Sequence, residues 1–443
     1  MRIKLSDHFT YSKLLRFVAP CILMMVFTSI YGVVDGLFIS NFAGKTPFAA
    51  INLIMPFLMI MGSFGFMIGT GGSAIISKTL GENKKDKANE YFSFLIYFTA
   101  TLGVVLTIVG EIVFPTITRL FKATDDMYGY CITYGRIILI TIPFFMLQNV
   151  FQSLFTTAEK PTIGFIITIV AGVTNMILDA LFVWIFDLGV AGAAIATSIS
   201  QIVGGIVPII YFSRKNSSLL SLGKGPINLP VLAKTCTNGS SEFISNVSAS
   251  FVSILYNYQL LKLAGEDGVA TYGVLMYVNF IFVAIFIGYS IGTAPIIGYN
   301  LGAQNNIEQK NIFKKSMLLM AIIGVTMTIL CFILASPLAY IFFRNNAELS
   351  KMTRHAFYLF SLAFIFSGYG IYGSSMFTAL NNGLISVIIS VTRTLVFQAS
   401  TILILPVILG LDGVWLSLMV ADILSAIVSI IFCICFRKKY NYA

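Results

Sequence analysis

This sequence has little charge. Of its 443 residues only 10% are Asp, Glu, Lys or Arg, whereas a soluble domain averages about 25%. Hydrophobic residues supply 57% of the chain, and mean hydropathy is +0.90. These values exclude an ordinary soluble domain and define an all-α integral membrane protein. Histidine is scarcer still, with only His8 and His355, both terminal or flanking a loop. No nucleophile motif, Walker loop or large polar domain is present, so no enzyme and no cofactor is expected, and any work must come from a gradient. The six cysteines fall mostly within apolar runs without paired ligand spacing, which excludes a disulfide framework and gives no transition-metal signature. A net charge of +10 would suggest nucleic acid in a soluble chain. Here the basic residues sit in short loops and set topology, so no nucleic-acid partner is expected.

What is present is a series of apolar runs, each long enough to cross a bilayer. Six lie near 14–39, 48–76, 91–114, 129–155, 161–186 and 190–213. Six more lie near 232–262, 269–300, 312–335, 355–380, 384–409 and 412–436. Between the sets, 214–230 is basic and rich in Ser, Gly and Pro, and reads as a cytoplasmic linker joining an N-terminal lobe (1–213) to a C-terminal lobe (231–443). Lys and Arg are concentrated on the side of the termini, which places both termini in the cytoplasm. The polar start "MRIKLSDHFTYSK" is too long for a signal peptide, so the first span is expected to be retained.

The halves resemble each other. A shift of 221 residues lays "GGSAIISKTLG" (71–81) over "GTAPIIGYNLG" (292–302), Gly44 over Gly265, and Gly189/Gly192 over Gly410/Gly413. Six spans per repeat give both copies the same orientation, related by an axis along the membrane normal, as in some secondary transporters. Two six-helix lobes facing a central cavity are expected.

Ionisable residues inside spans are expensive and by default functional. Asp35, in "SIYGVVDGLFIS" (29–40), costs roughly 2.5–3.5 kcal/mol on insertion scales. Asp179 follows Asn175 by four residues, so both occupy one helix face. Thr197 comes in at similar depth on the next, small-residue span. Two carboxylates, an amide oxygen and a hydroxyl from three spans can hold a hard cation such as Na⁺, or one carboxylate can take a proton. The alternative is that Asn175 and Thr197 only hydrogen-bond between helices. The 221 shift maps positions 35, 175, 179 and 197 onto Tyr256, Val396, Ser400 and Leu418, so any ion site exists once per chain. Glu242 and Asp422 are expected to neutralise Arg393 as a structural cluster, and Arg136 to snorkel to the interface. Gln148, Asn149, Gln152, Gln201 and Tyr256 are candidates for the substrate cavity.

The stretch 17–50, with a proline and an Asp fifteen residues on, resembles the first span of the multidrug and toxic compound extrusion transporters. "LGENKKDKA" (80–88), "TTAEKPTIG" (156–164) and above all "NMILDALFVWIFDLGVAGAAIAT" (175–197) are similar to family stretches. The resemblance covers nearly the whole chain and is strongest to the bacterial multidrug-exporter branch. It implies an antiporter of the bacterial inner membrane, a monomer in the lipid bilayer, that exports small, often cationic organic compounds in exchange for H⁺ or Na⁺. It implies that Asp35, Asn175, Asp179 and Thr197 bind the ion. A lipid-linked saccharide flippase of the same superfamily is the main alternative, with a channel or receptor-like protein behind it.

Overall fold

The computed structural model describes residues 3–121, 123–344 and 346–442, and among these there is no strand. The long helices are α1 (Tyr11–Ala43), α2 (Thr46–Gly81), α3 (Lys85–Leu120), α4 (Asp125–Ile140 with Ile142–Thr157), α5 (Pro161–Ile185) and α6 (Gly189–Ser213). They continue as α7 (Leu229–Gly302), α8 (Asn306–Phe342), α9 (Ala347–Ala379), α10 (Gly383–Leu409) and α11 (Leu411–Tyr440). Among the described residues ten helices are individually long and apolar enough to span a membrane, and α4 makes eleven when its two arms, bent by 57°, count as one.

The expected twelfth pass lies within α7. As one rod its 74 residues would run about 110 Å at 1.5 Å per residue, far beyond a hydrocarbon core of roughly 30 Å. The chain instead reverses at Gly265, whose φ of 60° and ψ of −147° are not helical. The rings of Tyr256 and Tyr272, on either side of that point, stack 5.0 Å apart. Two antiparallel arms result, giving twelve passes.

Helix ends follow from local chemistry. Thr10, Asn228, Asn305 and Asn346 each accept a backbone N–H three residues on, capping α1, α7, α8 and α9. The bend in α4 falls at Thr141, two residues before Pro143. Its hydroxyl bonds the Ile138 carbonyl at 3.0 Å and Gln201 Oε1 on α6 at 2.8 Å, fixing the bent arms to a neighbour.

The internal repeat is visible in the backbone. Among the described residues the glycines with positive φ are Gly44, Gly189, Gly265 and Gly410, two pairs separated by 221. Asn83 and Gln304, also 221 apart, share the same left-handed conformation. Buried apolar side chains form two main clusters. One runs from Ile39 to Leu220, and the other joins Leu5–Val18 to Val252–Tyr442. Helix α1 therefore starts in the second cluster and ends against the first. At the face bearing the chain termini, α2 and the second arm of α7 meet through Gly81 and Gly302. A Cβ on Gly81 would strike the Tyr299 carbonyl, and one on Gly302 the Lys78 carbonyl, the same contact reflected through the repeat. That face is closed.

Candidate ion and substrate site

Three helices bring the four expected ion-site residues together. Asn175 and Asp179 share a face of α5 and are 1% and 0% exposed. The Asn175 amide donates to Thr197 Oγ1 on α6 at 3.4 Å. The Asp35 carboxyl on α1 lies within hydrogen-bonding range of the Asp179 carboxyl. Both groups are acceptors, so their contact satisfies neither. Asp35 Oδ1, Asn175 Oδ1 and both Asp179 oxygens have no donor among the described residues. Orphaned buried oxygens call for a proton, a water or an ion. The donor set, all hard oxygen, fits Na⁺ as well as a shared proton.

Two tyrosines complete the wall. Tyr134 on α4 reaches Thr197 with its hydroxyl and feels both carboxylates, and Tyr31, one turn before Asp35, reaches Gln148. The backbone widens at the same place. Ile39–Ala43 in α1 and Ala180–Ile185 in α5 are π-helical, beginning four residues after Asp35 and directly after Asp179. Such widened turns recur at functional sites. Tyr31 was within reach of sequence reasoning as the i−4 neighbour of Asp35. Tyr134 has no local signal, because only tertiary packing brings α4 here.

The expected cavity residues divide. Gln148, Asn149, Gln152 and Gln201 are all buried within the first half. Gln201 is held by Thr141, and Asn149 Nδ2 donates to the Gly62 carbonyl at 3.5 Å. Gln148 and Gln152 line a small pocket with Thr168, Gly204 and Pro208. Tyr256 instead sits in packed core: its hydroxyl lies 2.8 Å from Ser417 Oγ and its ring sits inside the second apolar cluster. The repeat maps Tyr256 onto the site of Asp35, but an aromatic ring at that position fills core where a carboxylate needs partners.

The second charge cluster also differs from expectation. Asp422, 1% exposed, pairs with Arg393 Nε at 3.3 Å and accepts a short hydrogen bond from Ser367. Glu242 feels the Arg393 charge but forms no ion pair with it. Arg136 is half exposed, as a snorkelling residue should be, and pairs at 3.5 Å with Glu111, which the sequence reading did not single out. Among the described residues no group of three His, Cys, Asp or Glu could hold a metal.

A duplicated, twelve-pass helical membrane protein with one buried carboxylate pair is the class these features define. The MatE family model matches the chain twice, over residues 20–181 and 243–404. The chain belongs to the MatE family. It is 24% identical over 430 residues to the multidrug export protein MepA of Staphylococcus saprophyticus, covering 97% of this chain and 94% of that protein. The MepA of Staphylococcus haemolyticus is 25% identical over 431 residues, with the same coverage. A solved multidrug resistance MATE family transporter of the MOP superfamily, in an outward-facing conformation, superposes with a TM-score of 0.91 at 22% identity, covering 97% of this chain and 96% of its own. A MATE in complex with MaL6 gives 0.92 at 21%, covering 97% of each chain. At these identities the solved structures show the shared fold.

Proposed function

We propose that this protein is a cation-coupled antiporter that exports small amphipathic, often cationic organic compounds by alternating access. The observation that carries the reading is the Asp35–Asp179 pair with its three orphaned oxygens and a fourth on Asn175, set beside Thr197, Tyr31 and Tyr134. Two carboxylates in contact in a low dielectric cannot both stay charged without cost. A proton or Na⁺ entering between them relieves that repulsion and favours the conformation that releases cargo outward. The names of the MepA relatives support export of drugs. The bulk of the protein, 1–213 and 231–443, acts as two six-helix lobes joined by the linker 214–230. Both termini lie in the cytoplasm of a bacterial cell, the protein works as a monomer, and the closed terminus-side face makes this its outward-open or occluded form.

The test is transport of substrate into inside-out vesicles, the equivalent of cellular efflux, with pH and sodium gradients imposed separately. Efflux that saturates and collapses with the matching ionophore is expected. Flux indifferent to both gradients would remove the coupling, and non-saturating flux would indicate a channel.

A further inference from the structure

The terminus-side face carries a second set of buried polar groups that the ion site does not use. Residues 3–10 cross that face as an irregular strap ahead of α1. Chain ends are ordinarily the least ordered part of a domain, but this one is tied down on both halves. In the turn between α4 and α5, the buried Glu159 accepts the Leu5 N–H at 2.8 Å. In the first turn of α8, the buried Glu308 accepts the Phe9 N–H at 2.9 Å and lies 2.7 Å from His8 Nδ1. Asn311 donates to the Phe9 carbonyl at 2.9 Å and to Glu308 at 2.7 Å, and the Lys315 ammonium also reaches that carbonyl. The side chains of Leu5 and Phe9 are fully buried in the second apolar cluster.

These attachments are unequal in kind. The second half holds the strap by two buried side chains and by Glu308, Asn311 and Lys315, so the strap moves with that half. Among the described residues of the strap, Leu5 reaches across to the first half through its bond to Glu159. That bond lies on the same side of the molecule as the Gly81–Gly302 contact, whose closure it reinforces. Helix α1 continues directly from the strap and carries Asp35 to the ion site, which places both devices on one element.

We propose that residues 3–10 form a latch that holds the terminus-side face shut, and that Glu159 must release Leu5 for that face to open. The proposal rests on the transport reading in one respect, that opening of this face is a step of the cycle. A hydrogen bond to a charged acceptor is among the stronger ones, so its loss shifts the closed state measurably.

The experiment places a cysteine at Ala74 in a chain whose other cysteines are replaced. Ala74 is buried on α2 at the seam, its carbonyl accepting the Asn381 amide at 3.1 Å. A membrane-impermeant maleimide is applied to the terminus side. Glu159→Ala is expected to raise the labelling rate about ten-fold, and Glu159→Gln, which keeps a carbonyl acceptor, to restore most of the parental rate. Leu5→Pro removes the N–H donor while leaving Glu159 intact, and serves if Glu159→Ala fails to fold. Parental labelling in the folded variants overturns the latch. Gradient-driven efflux of ethidium is followed in the same vesicles. Faster labelling with no efflux by the parent keeps the latch and removes the transport reading. Normal efflux with unchanged labelling does the reverse.

Discussion

At the scale of single residues, the four orphaned oxygens at Asp35, Asn175 and Asp179 decide what substitution should do. Asp35→Asn keeps size and polarity, supplies an N–H donor to Asp179, and removes the titratable charge. The variant should fold at least as well as the parent yet lose gradient-driven efflux, whereas Asn175→Ala and Thr197→Ala should weaken ion dependence less. Parental efflux by purified Asp35→Asn under the same gradient would make the carboxylate a packing residue. In the second cluster, Asp422→Asn leaves the Arg393 charge without its counterion, a change worth about 3–5 kcal/mol for buried pairs. Glu242 feels the Arg393 charge but among the described residues forms no ion pair, so Glu242→Gln should lower thermal stability far less than Asp422→Asn. Equal losses of melting temperature would restore Glu242 to the structural role expected from sequence. The acids were legible because a charge stands out in an apolar run. Their partners were not: Ser367 and Tyr134 are ordinary polar residues until packing brings them to Asp422 and Thr197.

At the scale of the helix, the sequence pattern located apolar runs well and their interruptions poorly. The run 129–155 read as one span, whereas the chain bends by 57° within it. Hydropathy does not register a bend made by a hydroxyl and a nearby proline. The π-helical turns after Asp35 and Asp179 escaped for a similar reason, since one extra residue per turn leaves composition unchanged. The reversal in α7 was legible, because "AGEDG" (264–268) breaks hydropathy there. The bend in α4 gives its own prediction. Thr141→Val keeps the shape of the side chain but removes its bonds to Gln201, Ser198 and the Ile138 carbonyl. Interhelical hydrogen bonds in membranes average about 0.6 kcal/mol, so the total loss should be near 1–2 kcal/mol. That loss should appear as a modest drop in melting temperature together with altered efflux rate, because the second arm of α4 carries Gln148. An unchanged melting temperature would show that Pro143 alone sets the bend.

At the scale of the whole molecule, the 221-residue shift was legible through its glycines, and the structure explains why those positions resist change. Two classes of reason operate. Gly44, Gly189, Gly265 and Gly410 hold positive φ where the chain turns. Others let helices from opposite halves touch. What the shift could not reveal is that α1 begins inside the second cluster, since apolar residues carry no label for the core they enter. The repeat also predicts matched and unmatched mutants. Gly81→Ala drives a Cβ into the Tyr299 carbonyl, and Gly302→Ala drives one into the Lys78 carbonyl. Both obstacles are helix backbone, so the two substitutions should open the terminus-side face alike, raising labelling of a cysteine at Ala74 by similar factors. Gly71 and Gly292 are also a repeat pair, but their surroundings differ. A Cβ on Gly71 would meet the Thr235 carbonyl, whereas on Gly292 the first atoms met, at 2.8 Å, belong to the Val18 side chain. The overlap at Gly292 is with Val18 Cβ and Cγ1 at 2.8 Å, shallower than the 2.0 Å approach to the Thr235 carbonyl at Gly71, although Val18 Cβ is fixed to helix backbone and yields little. Gly71→Ala should therefore impair closure and efflux more than Gly292→Ala. Equal effects at 71 and 292, or unequal ones at 81 and 302, would mean that the terminus-side seam is not the contact that the cycle opens and closes.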